Sequence, residues 1–162
     1  MFKLIVPLVL SLLAGAQVQA QTLAADGNPI LVDLQQTHPN GVILQVSSVQ
    51  AGLSETVVSV QVINGFKREI RLLSRRNDSF IASEDGTRLF LSPPEDNERF
   101  ELPAMTKLEG ELVFLGRLPE TDNVTFVLND DAGSSSENSH TPRFEITIAL
   151  PEGTFSEGSK KN

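Results

Sequence analysis

Apolar and polar residues alternate with period two along most of this chain, most clearly over residues 108–118, LEGELVFLGRL. Leu108, Gly110, Leu112, Phe114, Gly116 and Leu118 hold one parity while Glu109, Glu111 and Arg117 hold the other, as in a strand with one buried face. Val113 and Leu115 make its centre apolar on both faces, which predicts a strand with neighbours on either side. Leu112 and Phe114 are expected in the core, the two glutamates toward solvent, and Gly110 and Gly116 at a close backbone approach or a bulge.

The same period runs through Val42, Leu44 and Val46, and through Val58, Val60 and Val62, both sets rich in β-branched residues. Asn64-Gly65 is a turn signal, so residues 68–73 are expected as a return strand with Ile70 and Leu72 inward. Residues 80–82 and 89–91 read as a hairpin about Asp85-Gly86. Pro93-Pro94 stops it, because proline has no donor and holds its predecessor extended. A brief strand over 99–102 ends at Pro103. Val124, Phe126 and Leu128, then Phe144, Ile146, Ile148 and Leu150, complete the alternating sets. Between them, residues 129–141 are polar without an apolar period and predict an exposed loop. Residues 21–40 contain Gly27, Pro29 and Pro39 and are expected as a loose N-terminal arm, with room for only a short strand at 30–34.

About eight short strands, turn signals roughly every ten residues and no sustained helical period predict an all-β fold: an antiparallel immunoglobulin-like β-sandwich over residues 41–151, or else a small barrel. The long connections around Pro93 and Gly133 suit the Greek-key crossings of the sandwich. Residues 152–162 are expected as a disordered polar tail.

Residues 1–20 read as an export signal peptide: Lys3, an apolar run from Leu4 to Ala14, and Val18-Gln19-Ala20 at a cleavage site. The run is shorter than the roughly 20 apolar residues that span a bilayer; an uncleaved anchor or a buried first helix is the competing reading. No transmembrane segment is expected in the mature chain. With no cysteine, disulfides, thiolate ligands, a cysteine nucleophile and lipid attachment through cysteine are all excluded. A chain near 150 residues buries roughly 70% of its unfolded surface and needs no such staple. An exported domain without disulfides fits a bacterial periplasm or surface, where the acceptor patterns at Asn77 and Asn123 are chance matches for glycosylation. The net charge of −8 becomes −9 once Lys3 leaves with the leader, and an acidic domain without a basic stripe repels nucleic acid.

Candidate chemistry is sparse. His38 and His140 could join in a small-ligand or metal carrier at the sandwich end loops, though neither has ligand spacing, and solvated loop histidines are the plainer expectation. Asn129, Asp130, Asp131 and Glu137 could collect calcium but lack the DxDxDG spacing. Glu109 and Glu111 share a face and could pair as acid and base; with Arg117, Arg71 and Glu69 at hand, cross-strand ion pairs are expected instead. No serine sits in a GxSxG elbow. No enzyme, cofactor or resident metal is expected. Lys67, Arg68, Arg75 and Arg76 flank one predicted strand. With Phe66 at the Asn-Gly turn they form the candidate partner-contact surface, or else serve as charges that discourage edge pairing.

The order VSVQVINGFKREI (58–70), the hairpin at Asp85-Gly86, LSPP (91–94), GELVFLGRL (110–118) and Pro142 before the last strand resembles a group of exported bacterial immunoglobulin-like domains of uncharacterised function. The resemblance covers about residues 41–151. Domains of that group occur alone, in lipoproteins and ahead of OmpA-like peptidoglycan-binding modules; the sequence contains no cysteine for lipid attachment, and no such module is expected after its last strand. The resemblance implies a sandwich fold and an envelope location and carries over no catalytic residue. The function expected is protein contact, with an unidentified envelope protein as partner.

Overall fold

The computed structural model describes residues 28–131 and 133–151, so the leader expected at 1–20 and the tail expected at 152–162 lie outside the described residues. Among those residues ten strands follow one another: β1 Ile30–Thr37, β2 Val42–Ala51, β3 Glu55–Asn64, β4 Ile70–Arg71, β5 Phe80–Ser83, β6 Arg88–Ser92, β7 Glu101–Leu102, β8 Lys107–Leu115, β9 Asn123–Leu128 and β10 Phe144–Ala149. Eight form one antiparallel sheet in the order β1-β2-β3-β8-β6-β5-β9-β10, and β4 pairs with β7 in a small second sheet. The all-β class and the antiparallel pairing are those that the alternation predicts.

The long sheet folds over on itself. β8 and β9 stand three places apart in the strand order, yet the Phe114 and Phe126 rings meet edge to face at 5.8 Å, both fully buried. β6 makes the turn between layers: Arg88, Leu89 and Phe90 pair with β5, while Leu91 and Ser92 pair with Phe114 and Val113 of β8, respectively. The first and last strands then approach each other, where the Glu145 N–H donates to the Gln36 side-chain oxygen at 3.0 Å. The result is a nearly closed sandwich with one core, filled by the inward parity of β2, β3, β8, β9 and β10. β8 has neighbours on both sides, as its doubly apolar centre predicts.

Several local expectations are corrected. The loose arm contains β1, eight residues paired with β2 from Ile30 to Thr37 across a bulge between Leu31 and Leu34. Its inward residues are only half-buried, and two glutamines and a threonine blur its period. No return strand follows Asn64-Gly65, because β3 already pairs with β2 on one side and β8 on the other. Of residues 68–73 only Ile70 and Arg71 are in strand, against β7. Asn64 is buried and organises the turn: its Oδ1 accepts the Phe66 N–H, and its Nδ2 donates to the carbonyls of Arg68, Leu102 and Pro103. Gly116 adopts a φ of +119°, and a Cβ there would lie 2.8 Å from a terminal carbon of Leu89, a side-chain rather than a backbone approach, whereas a Cβ on Gly110 would meet open space.

The polar segment 129–141 is exposed in many side chains but anchored along its backbone. Asn129 is buried, its Nδ2 donating to the carbonyls of Arg71 and Pro142. His38 Nε2 lies 2.7 Å from the Ser134 carbonyl, and Asn40 Nδ2 donates to the Ser139 carbonyl.

Candidate functional site

Of the residues singled out in sequence, Phe66 is not presented to solvent. The turn built by Asn64 folds it inward to 5% exposure, edge to face with His140, with the Arg68 guanidinium 5.0 Å above the ring. Arg68 also donates to the Asn138 carbonyl. Lys67 and Arg68 stay exposed, but the aromatic centre expected beside them is part of the core.

Arg75 and Arg76 lie elsewhere, on an open groove of about 820 Å³ that excludes Phe66, Lys67 and Arg68. β6 contributes Phe90 and Ser92 to it, β8 contributes Leu115, and two connecting segments supply the rest: residues 73–77, and Pro93 to Glu95 with Glu98 and Arg99. Phe90 and Leu115 are 36% and 61% exposed, among the larger apolar side chains left facing solvent. Both stand on the outward parity of their strands, where Phe90 meets the Phe80 ring edge to face at 6.2 Å and Leu115 is the more open of the two.

The groove is held in shape by buried polar groups. Asp78, 2% exposed, accepts the Ser74 hydroxyl at 2.6 Å and the Arg75 N–H at 2.9 Å through one carboxylate oxygen. The Ser74 N–H donates to Asn129 Oδ1. The two connecting segments are joined to each other, since Leu72 N–H and Leu73 N–H donate to the carbonyls of Phe100 and Arg99. Asn97 closes the second segment, with Oδ1 accepting from Glu101 N–H and Nδ2 donating to the Glu101 carbonyl. The Arg75, Arg76 and Arg99 side chains are exposed, and none joins an ion pair or a side-chain hydrogen bond among the described residues. The ion pairs lie elsewhere: Arg71 with Glu101, Lys107 with Glu109, and Arg143 with both Asp130 and Glu145. The last pairing, through the Asp130 and then the Glu145 hydrogen bond, raises the Arg143 pKa above its ordinary value. Three guanidinium forks beside exposed apolar surface can bind carboxylate or phosphate groups attached to an apolar body.

The remaining candidates separate. His38 is buried rather than solvated, with Nδ1 accepting the Asn40 N–H and Nε2 directed at the Ser134 carbonyl, so both ring nitrogens are engaged within the fold. His140 is exposed and its Nδ1 is 3.1 Å from the Glu69 carbonyl. Asp130 is taken up by Arg143, and Asn129 by three backbone groups. Among the described residues no group of three or more His, Asp or Glu could hold a metal ion, and no helix is long and apolar enough to cross a membrane. Glu109 pairs with Lys107, its neighbour on the same strand, rather than with Arg117. Sequence reading does not assign Arg99, Phe90 or Leu115 to a site. The one available signal is parity, since Leu115, like Val113, sits on the strand face that carries Glu109 and Glu111.

No family model and no curated protein sequence matches the chain. Among solved structures, a candidate lipoprotein of Bacillus subtilis is similar over 73% of this chain at 15% identity, with a TM-score of 0.47; the match spans 39% of that protein's chain. It is a weak and partial likeness.

Proposed function

We propose that this chain is an exported, non-catalytic β-sandwich that works by contact with another protein of the bacterial cell envelope, in the periplasm or outside the cell, and that the arginine-lined groove is its contact site. The observation that carries the proposal is the groove itself: exposed Phe90 and Leu115 beside three arginines without ion partners among the described residues, on a shape fixed by Asp78 and Asn97. A concave surface of mixed apolar and charged character suits recognition: the backbone of its two segments is already held by these bonds, and the arginine side chains are what binding must order. The apolar, lightly charged N-terminal run supports export, and the absence of cysteine fits a bacterial envelope.

Site-specific photocrosslinking in the native envelope tests it. A photoreactive residue at Leu115, within the groove, is expected to capture one defined envelope protein; the same residue at Leu31, 83% exposed on β1 and outside the groove, is not. Identical capture from both positions, or none from Leu115, would overturn the assignment of the groove.

A further inference from the structure

The geometry points to the kind of partner segment the groove accepts: an extended peptide carrying carboxylates interspersed with bulky apolar side chains. The inference rests on the proposal that the chain works by protein contact and deepens it. In a chain of net charge −8, Arg75, Arg76 and Arg99 converge on one groove from two separate segments of the chain without ion partners among the described residues. A complementary occupant is therefore anionic at more than one point, and planar carboxylates match guanidinium forks. Leu115, and the part of Phe90 not packed on Phe80, lie in the same groove, and covering them with apolar surface favours an apolar occupant. The volume of about 820 Å³ falls high in the range of roughly 300–1,000 Å³ for ligand-sized clefts, enough for a short run of residues. Glu95 and Glu98 line the groove with Arg99, so a uniformly negative polymer is repelled there, and a segment with separated charges fits better. A flat anionic membrane is the poorer match, since the groove is concave and the rest of the protein is acidic.

The test uses the full chain after export and three fluorescein-labelled peptides of equal length: a Gly/Ser backbone bearing Glu and Phe, the same with Lys in place of Glu, and the same with Glu but no Phe. Anisotropy is expected to show binding of the Glu/Phe peptide that weakens about tenfold between low and high salt, with weaker binding of the Phe-free peptide and none of the Lys peptide. In the double variant Arg76→Glu with Arg99→Glu, binding of the Glu/Phe peptide is expected to fall at least about tenfold and that of the Lys peptide to appear. Arg76 and Arg99 make no side-chain bonds among the described residues, and an unchanged melting temperature confirms that the variant is folded. Equal binding of the Glu and Lys peptides, or no loss in the double variant, would overturn the inference. So would binding to phosphatidylglycerol vesicles with none to the Glu/Phe peptide, which would assign the groove to lipid. If the peptide fails while Leu115 still captures an envelope protein, the contact function stands and only the stated partner chemistry falls.

Discussion

Gly41 and Gly65 touch backbone to backbone: a Cβ built on Gly65 would run into the Gly41 carbonyl oxygen. The contact ties the start of β2 to the turn after β3, and the positive φ of +91° falls on Gly41 rather than on Gly65. Gly65→Ala is therefore expected to destabilise the fold by about 1–3 kcal/mol through a forced backbone shift. Gly110→Ala, where the added carbon meets nothing, is expected to stabilise it by roughly 0.5–1 kcal/mol. Urea unfolding of the two variants checks both signs.

The Phe114 and Phe126 contact joins the two layers at full burial, with the ring planes 87° apart. Phe114→Ala should cost about 3–5 kcal/mol in equilibrium unfolding. A loss below about 1 kcal/mol would mean that the layers are held together elsewhere.

His38 anchors the segment after β9 from the opposite end of the chain, through Ser134, and packs edge to face on Phe144. His38→Ala should cost on the order of 2 kcal/mol, about 1 for each hydrogen bond lost. Amide exchange should quicken at Asn40 and around Ser134 while the core of β3 and β8 stays protected; uniform loss of protection would show that the ring supports the whole fold.

The Asp85 carboxylate is bonded within the turn of the β5–β6 hairpin. The Ser83 hydroxyl, 2.5 Å away, and then the Thr87 N–H hold its carboxyl below the ordinary aspartate value of 3.8. Because the folded pKa is depressed, its contribution to stability is present above the unfolded value and is lost as pH falls through the folded one. The carboxyl should titrate by NMR with a midpoint below 3.8, and Ser83→Ala should move that midpoint back toward 3.8.

The strands legible in sequence are those that carry one parity into the core. β10 alternates along its whole length, and β8 buries Leu112 and Phe114 in its second half. β1 was hidden because its inner parity is only half-buried and includes Gln36, and β4 and β7 because two residues carry no period. The Asn64-Gly65 turn was visible, yet its consequence was not: Asn64 spends its amide on carbonyls 38 and 39 residues away, and this drew Phe66 into the core. The candidate site was half visible. Arg75 and Arg76 stand out as a charged pair, but Arg99, Phe90 and Leu115 become their neighbours only once β6 has changed layers and the segments around it are tied together.

The bond between Gln36 and Glu145 spans 109 residues and joins the first strand of the sheet to the last. β1 can pair with β2 as soon as both are available, a local and rapid event, whereas the seam must wait for β10. A chain emerging amino end first during synthesis would therefore hold an unsealed sheet margin until its final strand arrives. Closure of that margin marks the arrival of the whole domain, and removing the Gln36 amide should lengthen the interval in which β1 remains open to association with other chains.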